Sequence, residues 1–228
     1  MTAIIGTGRW ATRIHRLFGS KEAVMINPKK RAIDVSKFCS VIVCVPSMYV
    51  DAVLKKVKFG GKDQYIYSCV KGLMNNGSTV CDYLNKKLKV DDVKFIGGAN
   101  IDCGDENYRK VDNSGKLERL GILKNVYAIG FGYYLKKHSP NASAHYLSRV
   151  VEELETIGIK GTLLDDLFVS CFSEVGRNRK FGEAMATGKK YSEITIEGRH
   201  TAKIIKKKNL FKNLALLREI TDLIYEYK

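Results

Sequence analysis

Ala3-Ile4-Ile5-Gly6-Thr7-Gly8-Arg9-Trp10-Ala11-Thr12 is the stretch whose reading decides the fold. Residues 1–5 are apolar enough for a short buried strand, and the run stops at glycine. Past the glycines, Ala11, Ile14, Leu17 and Phe18 recur at helical spacing and predict one apolar helix face. Strand, glycine turn and helix together give the GxGxxA pattern its meaning. Gly6 permits the tight turn, Gly8 leaves room for a pyrophosphate against the backbone, and Ala11 lets the helix pack close to the strand. The turn is therefore expected to hold a dinucleotide, with Gly6, Gly8, Arg9 and Trp10 facing it. His15, one turn beyond Ala11, is expected to be an exposed helix residue.

Outward from this turn, short apolar runs over 23–27, 40–45, 64–69 and 93–96 read as strands, and 48–57 and 77–88 read as helices. Such alternation predicts a parallel sheet covered on both faces. Ligands of such sheets bind at the carboxyl ends of the strands, where Gly6, Pro46, Lys71 and Asn100 fall. An acid about 20 residues past the first glycine would hold the adenosine ribose. Asn27 stands there instead, followed by Lys29, Lys30 and Arg31. This tips the expectation toward NADPH, with a solvated basic loop as the other reading.

The pattern changes over 102–119, a polar stretch containing Asn113-Ser114-Gly115, and the domain boundary is placed there. Beyond it 123–134, 141–157, 162–172, 177–187, 198–207 and 210–225 all read as helices. Val150, Leu154 and Ile157 form one apolar stripe, and Leu214, Leu217, Ile220 and Ile224 another. The fold class expected is α/β: a Rossmann-like parallel sheet domain (1–119) followed by an all-helical domain (120–228). Within the second, Asp166 and Ser170 are four apart and share a helix face. Gly176-Arg177-Asn178-Arg179 then enters the next helix. Free backbone N–H groups, the helix dipole and a guanidinium suit an anion; a surface turn with solvated arginines is the plainer reading.

The 228 residues carry 39 Lys and Arg against 24 Asp and Glu, a formal net charge of +15. This favours anionic partners. The lysines are dispersed, apart from Lys206-Lys207-Lys208, so nucleic acid is not the expected partner. No apolar run approaches the roughly 20 residues of a membrane span, and the start has no signal or transit pattern. The six cysteines lack CxxC spacing and several sit in apolar runs, which reads as buried thiols of a cytoplasmic protein, with no metal expected.

Several pieces in one order resemble the NAD(P)-dependent glycerol-3-phosphate dehydrogenases. They are Gly6 to Thr12, Val45-Pro46-Ser47, Val70-Lys71-Gly72-Leu73, Gly98-Ala99-Asn100-Ile101, Leu123-Lys124-Asn125-Val126 onward to Gly130, Asn141-Ala142, Asp166-Leu167 through Arg177-Asn178-Arg179, and Glu197-Gly198. The resemblance implies interconversion of dihydroxyacetone phosphate and sn-glycerol 3-phosphate by hydride transfer with NAD(P)H. It implies Lys124 as the acid–base group, with Lys71 and Asp166 beside it in catalysis. Asn100, Ser170, Gly176, Arg177 and Asn178 then bind the small phosphorylated substrate. Pro46, Lys71, Ala99, Arg177, Thr195 and Glu197 join the glycine turn around the cofactor, and the two domains are expected to close over a cleft. A homodimer is compatible with it. Family members are usually longer, and here 27–40 and 101–120 are cut short. A catalytically weak dinucleotide- or phosphometabolite-binding protein, or a related dehydrogenase with another substrate, therefore stands as the alternative.

Overall fold

The structure, a computed structural model, describes residues 1–19, 21–61, 63–90, 92–98, 110–112, 115–192 and 195–227. Ala99 and Asn100 lie outside the described residues, as does Cys103. The chain divides into two compact units: Met1–Met74 with Ser78–Glu118, and Asn75–Gly77 with Arg119–Lys228.

The first unit contains β1 (Thr2–Ile5), α1 (Arg9–Phe18), β2 (Ala23–Ile26), β3 (Ile33–Asp34), β4 (Ser40–Val43), α2 (Ser47–Leu54), β5 (Val57–Lys58), β6 (Tyr65–Ser68), α3 (Val80–Leu88), β7 (Lys94–Gly97) and β8 (Lys110–Asp112). Six strands form one sheet in the order β2-β1-β4-β6-β7-β8. β1 lies between two parallel neighbours, with Ile5 opposite Ile26 on one side and Val43 on the other. Every residue of β1 is buried, as expected of a mainly apolar strand covered on both faces. The strand order reverses at β1, so the crevice beyond the carboxyl ends of β1 and β4 is the switch point at which such sheets take ligands.

Four local expectations are corrected. The helix expected over 48–57 ends at Leu54, and Val57 pairs with Ile33 in a separate two-stranded sheet. Lys56-Val57-Lys58 alternates polar and apolar, which is strand periodicity. The polar stretch 102–119 contains β8, antiparallel to β7 with Ile96 opposite Val111; Lys110-Val111-Asp112 is too short and polar to announce a strand. Leu17 is 37% exposed, because Ala11, Ile14 and Phe18 define the inward stripe and Leu17 falls at its edge. His15 is also not simply exposed: its Nε2 lies 3.0 Å from the Ala23 carbonyl oxygen and ties α1 to β2.

The second unit is helical among its described residues. α4 (Lys116–Lys137) begins in the first unit and runs on through the second, followed by α5 (Pro140–Glu155), a 3₁₀ turn at Gly161–Leu164, α6 (Asp165–Phe172), α7 (Arg177–Ala186), α8 (Glu197–Lys208) and α9 (Ala215–Glu226). α4 is buried almost all round from Leu120 to Phe131, the signature of a core helix. Two glycines let its neighbours approach it backbone to backbone. A Cβ on Gly182 of α7 would collide with the Ile129 carbonyl oxygen, and one on Gly198 of α8 with that of Asn125. α9 buries Leu217, Ile220 and Ile224 completely, with Leu214 just before it. Its start is capped from α5, where the Glu153 carboxylate accepts the N–H groups of Leu216 (2.6 Å) and Leu217 (2.9 Å) and the Tyr127 hydroxyl (2.6 Å). Among the described residues no helix is long and apolar enough to cross a membrane.

Candidate active site

In the first unit the glycine turn sits against the sheet. The Gly6 N–H donates to the Ile26 carbonyl at 3.0 Å. Its φ is +153°, and a Cβ there would collide with the Cys44 carbonyl oxygen, so only glycine fits. Gly8 is the opposite case: a Cβ there would meet nothing within 4 Å. Gly8 is also the N-cap of α1, whose first turn carries no acid. Backbone amides at an open helix start, with space in front of them, fit a pyrophosphate. Thr7, Gly8 and Arg9 are exposed and Trp10 half-buried.

Two further predicted residues gather beside this turn. Pro46 follows β4 and is the exposed N-cap of α2. Lys71 follows β6, and its Nζ lies 4.3 Å from the centroid of the Trp10 ring, a cation–π contact that holds the ammonium next to the start of α1. Asn27, just past β2, is occupied with its own turn: its Oδ1 accepts the Lys29 N–H at 2.9 Å. Lys29, Lys30 and Arg31 are exposed.

In the second unit Lys124 and Asp166 form a buried ion pair, with Nζ and Oδ1 2.5 Å apart and side chains only 8% and 6% exposed. The Asp166 carbonyl oxygen accepts a bond from Ser170 Oγ at 2.7 Å and a longer one from Lys124 Nζ at 3.5 Å. α4 brings the lysine, α6 the acid, and the Asp166/Ser170 spacing of one turn puts all three groups together. Cys171 is the neighbouring thiol. Burial pushes it up to about 12, although the cations Lys124 and Arg179 pull the other way, so it is no thiolate nucleophile at neutral pH.

Around this pair runs a relay that the sequence reasoning did not assign. Asn178 donates its Nδ2–H to Asn125 Oδ1 at 2.9 Å, and its own Oδ1 accepts the Gly198 N–H at 3.1 Å. Asn125 in turn donates to the Gly121 carbonyl at 3.2 Å. The residue after Lys124 thus locks α4, α7 and α8 together, and its place in the Lys124-Asn125 motif was the one available signal. Gly176 is the N-cap of α7. Arg177, exposed at the first position of that helix, donates NH1 to the Thr195 carbonyl (3.2 Å) and hydroxyl (3.1 Å). Glu197 starts α8 and is half-buried. Arg179 is a framework residue: it bonds Glu183 at 2.8 Å and the Phe172 carbonyl at 2.7 Å.

Comparison with known proteins bears on what these groups do. Residues 116–228 match the family model of the NAD-dependent glycerol-3-phosphate dehydrogenase C-terminus. A glycerol-3-phosphate dehydrogenase [NAD(P)+] of Rickettsia prowazekii is 27% identical over 247 residues, covering 83% of this chain and 77% of the relative. Among solved structures, glycerol-3-phosphate dehydrogenase from Coxiella burnetii superposes with a TM-score of 0.79 at 18% identity, over 99% of this chain and 94% of the other. A dimeric ketopantoate reductase from Staphylococcus aureus does so at 0.55 and 12%, over 99% and 98%. These last two likenesses are of fold.

Proposed function

Because the chain belongs to the NAD(P)-dependent glycerol-3-phosphate dehydrogenase family, we propose that it interconverts dihydroxyacetone phosphate and sn-glycerol 3-phosphate, with Lys124 as the acid–base group. The observation that carries the proposal is the buried Lys124–Asp166 pair. A bound NAD(P)H supplies the hydride. As the substrate carbonyl is reduced, negative charge grows on its oxygen, and the Lys124 ammonium donates a proton to it; in the oxidative direction the amine takes the hydroxyl proton back. Asp166 fixes the ammonium, and its own backbone carbonyl is fixed by Ser170.

The remaining assignments rest on the same reading. Gly176, Arg177 and Asn178 form the substrate-phosphate site: Arg177 offers an exposed guanidinium beside the first-turn amides of α7, and Asn178 adds its backbone N–H there while its side chain, bonded to Asn125 and Gly198, holds that helix in register. Asn100 orients the substrate oxygens or nicotinamide, with Lys71. Gly6, Gly8, Arg9, Trp10, Pro46, Ala99, Thr195 and Glu197 serve the cofactor. Residues 1–119 are then the dinucleotide-binding domain and 120–228 the substrate-binding domain. Asn27, with no carboxylate for a ribose, and the exposed Lys29, Lys30 and Arg31 support NADPH over NADH. The fold it shares with a dimeric reductase supports a homodimer, and the free thiols of Cys39, Cys44, Cys69, Cys81 and Cys171 support a cytoplasmic setting.

The test is the near-ultraviolet absorbance of NADH or NADPH mixed with the protein. Loss of absorbance on adding dihydroxyacetone phosphate, and none on adding a 2-keto acid, is expected. Turnover of the keto acid with indifference to the phosphorylated ketone would overturn the substrate assignment.

A further inference from the structure

Two cysteines meet at the carboxyl edge of the sheet in the first unit. β4 and β6 pair in parallel, with Val43 opposite Ser68 at their last residues, and Cys44 and Cys69 follow directly, one on each segment. The Cys69 N–H donates to the Val43 carbonyl at 2.9 Å, which carries the pairing to the strand ends. Side chains opposite each other in a parallel ladder leave the sheet on the same face. Here that face is the one under α1, where Cys69 packs in a cluster with Ile42, Ala11 and Ile14, and Cys44 and Trp10 lie against it. Adjacent strands lie about 4.8 Å apart, inside the ~4.4–6.8 Å Cα separation that a disulfide needs.

We propose that Cys44 and Cys69 form a reversible dithiol–disulfide modification site directly beneath the glycine turn. Its place follows from Gly6, where a Cβ would collide with the Cys44 carbonyl oxygen and come within 3.3 Å of the Cys44 Cβ. Pro46 lies two residues beyond one sulfur and Lys71 two beyond the other. The bond would therefore tie together the two strand-end segments that flank the turn.

The oxidant is a low-molecular-weight disulfide. Cys44, half-buried where Cys69 is only 4% exposed, is the sulfur that reagent meets first. It displaces one thiol from the reagent and becomes a mixed disulfide. Cys69 then attacks Cys44 Sγ and releases the second thiol. Two protein S–H bonds and one reagent S–S bond are lost, and one protein S–S bond and two reagent S–H bonds are made, so electrons and protons balance. Burial and the adjacent Cys44 thiol push the Cys69 thiol well up, so Cys69 waits as a thiol and acts second.

The experiment uses the full chain under native conditions with oxidised glutathione, followed by alkylation of remaining thiols and non-reducing peptide mapping. A Cys44–Cys69 linked peptide, lost on adding dithiothreitol, is expected. Trp10 is the only tryptophan and packs against the pair, so its emission should fall on oxidation and recover on reduction. Cys39→Ser should leave both signals unchanged, and Cys44→Ser should abolish them. Should Cys44→Ser fail to fold, the wild-type peptide map decides alone. Full alkylation of both cysteines after oxidation, or a glutathione adduct that stays on Cys44, would overturn the proposal.

Discussion

Replacing Asp166 by leucine removes the carboxylate and nothing else that the site needs to keep its shape, because the carbonyl that holds Ser170 belongs to the backbone. What remains is a lysine, its side chain 8% exposed, that has lost its carboxylate and keeps the longer 3.5 Å bond to the backbone carbonyl of residue 166. Removing one partner of a buried ion pair costs about 3–5 kcal/mol, most of it the cost of the abandoned charge. Set against a typical stability of roughly 5–15 kcal/mol, that is a large share. With a urea m-value of about 2 kcal/mol/M, the unfolding midpoint should drop by roughly 1.5–2.5 M. The partner variant separates charge from packing. Lys124→Met with Asp166→Leu replaces both ions by apolar groups, and such replacements are often neutral or stabilising by about 1–4 kcal/mol. The double variant should therefore recover most of the lost midpoint while having no turnover. Urea titrations followed by circular dichroism on wild type, both single variants and the double variant complete the cycle. A midpoint shift for Asp166→Leu worth less than about 1 kcal/mol would refute the burial of this pair, and a double variant as weak as the single would refute the origin assigned to the loss.

Other consequences are independent of that pair. Glu153→Ala strands two backbone N–H groups at the start of α9 and the Tyr127 hydroxyl; at about 1–3 kcal/mol per unsatisfied buried group, thermal unfolding should show a loss of at least roughly 3 kcal/mol. The Glu118 carboxyl is raised by burial, against the Cys81 N–H that it accepts. A raised carboxyl favours folding when protonated, so this contribution is fully present below the unfolded value of 4.5 and is lost as pH rises through the raised one. Glu118→Gln, which keeps the acceptor for Cys81, should remove that slope from urea midpoints measured across pH and leave the protein more stable near neutrality. Arg177→Ala should weaken binding of phosphorylated substrate by roughly ten- to a hundredfold, the value of a charge-assisted contact of about 1.5–3 kcal/mol, as read by isothermal titration; unchanged affinity would move the phosphate elsewhere.

What the sequence revealed followed the range of the interaction. The turn from Gly6 to Ala11 was legible because strand, glycines and helix are contiguous, and the collision that excludes a side chain at Gly6 comes from the strand it abuts. The helical stripe from Leu214 to Ile224 was legible for the same reason. Lys124 and Asp166, 42 positions apart, carry no periodicity that pairs them, and only the family resemblance brought them together before the structure did. The Asn125–Asn178–Gly198 relay was invisible because it exists only once α7 and α8 have closed on α4. Arg179 read as part of an anion-binding turn, yet Glu183 one helical turn later is its partner. β8 escaped because a three-residue polar strand draws its order from pairing with β7 and not from its own composition.

The central claim, that Lys124 carries the proton, is tested most directly by single-turnover oxidation of NADPH with dihydroxyacetone phosphate in Lys124→Met, alongside titration of the cofactor. Positioned acid–base catalysis is worth about 10²–10⁴-fold, so the rate should fall by at least that order with cofactor affinity unchanged. Lys124→Arg should not restore it, since a guanidinium does not give up its proton. Near-normal turnover by Lys124→Met would contradict the account and pass the role to Lys71.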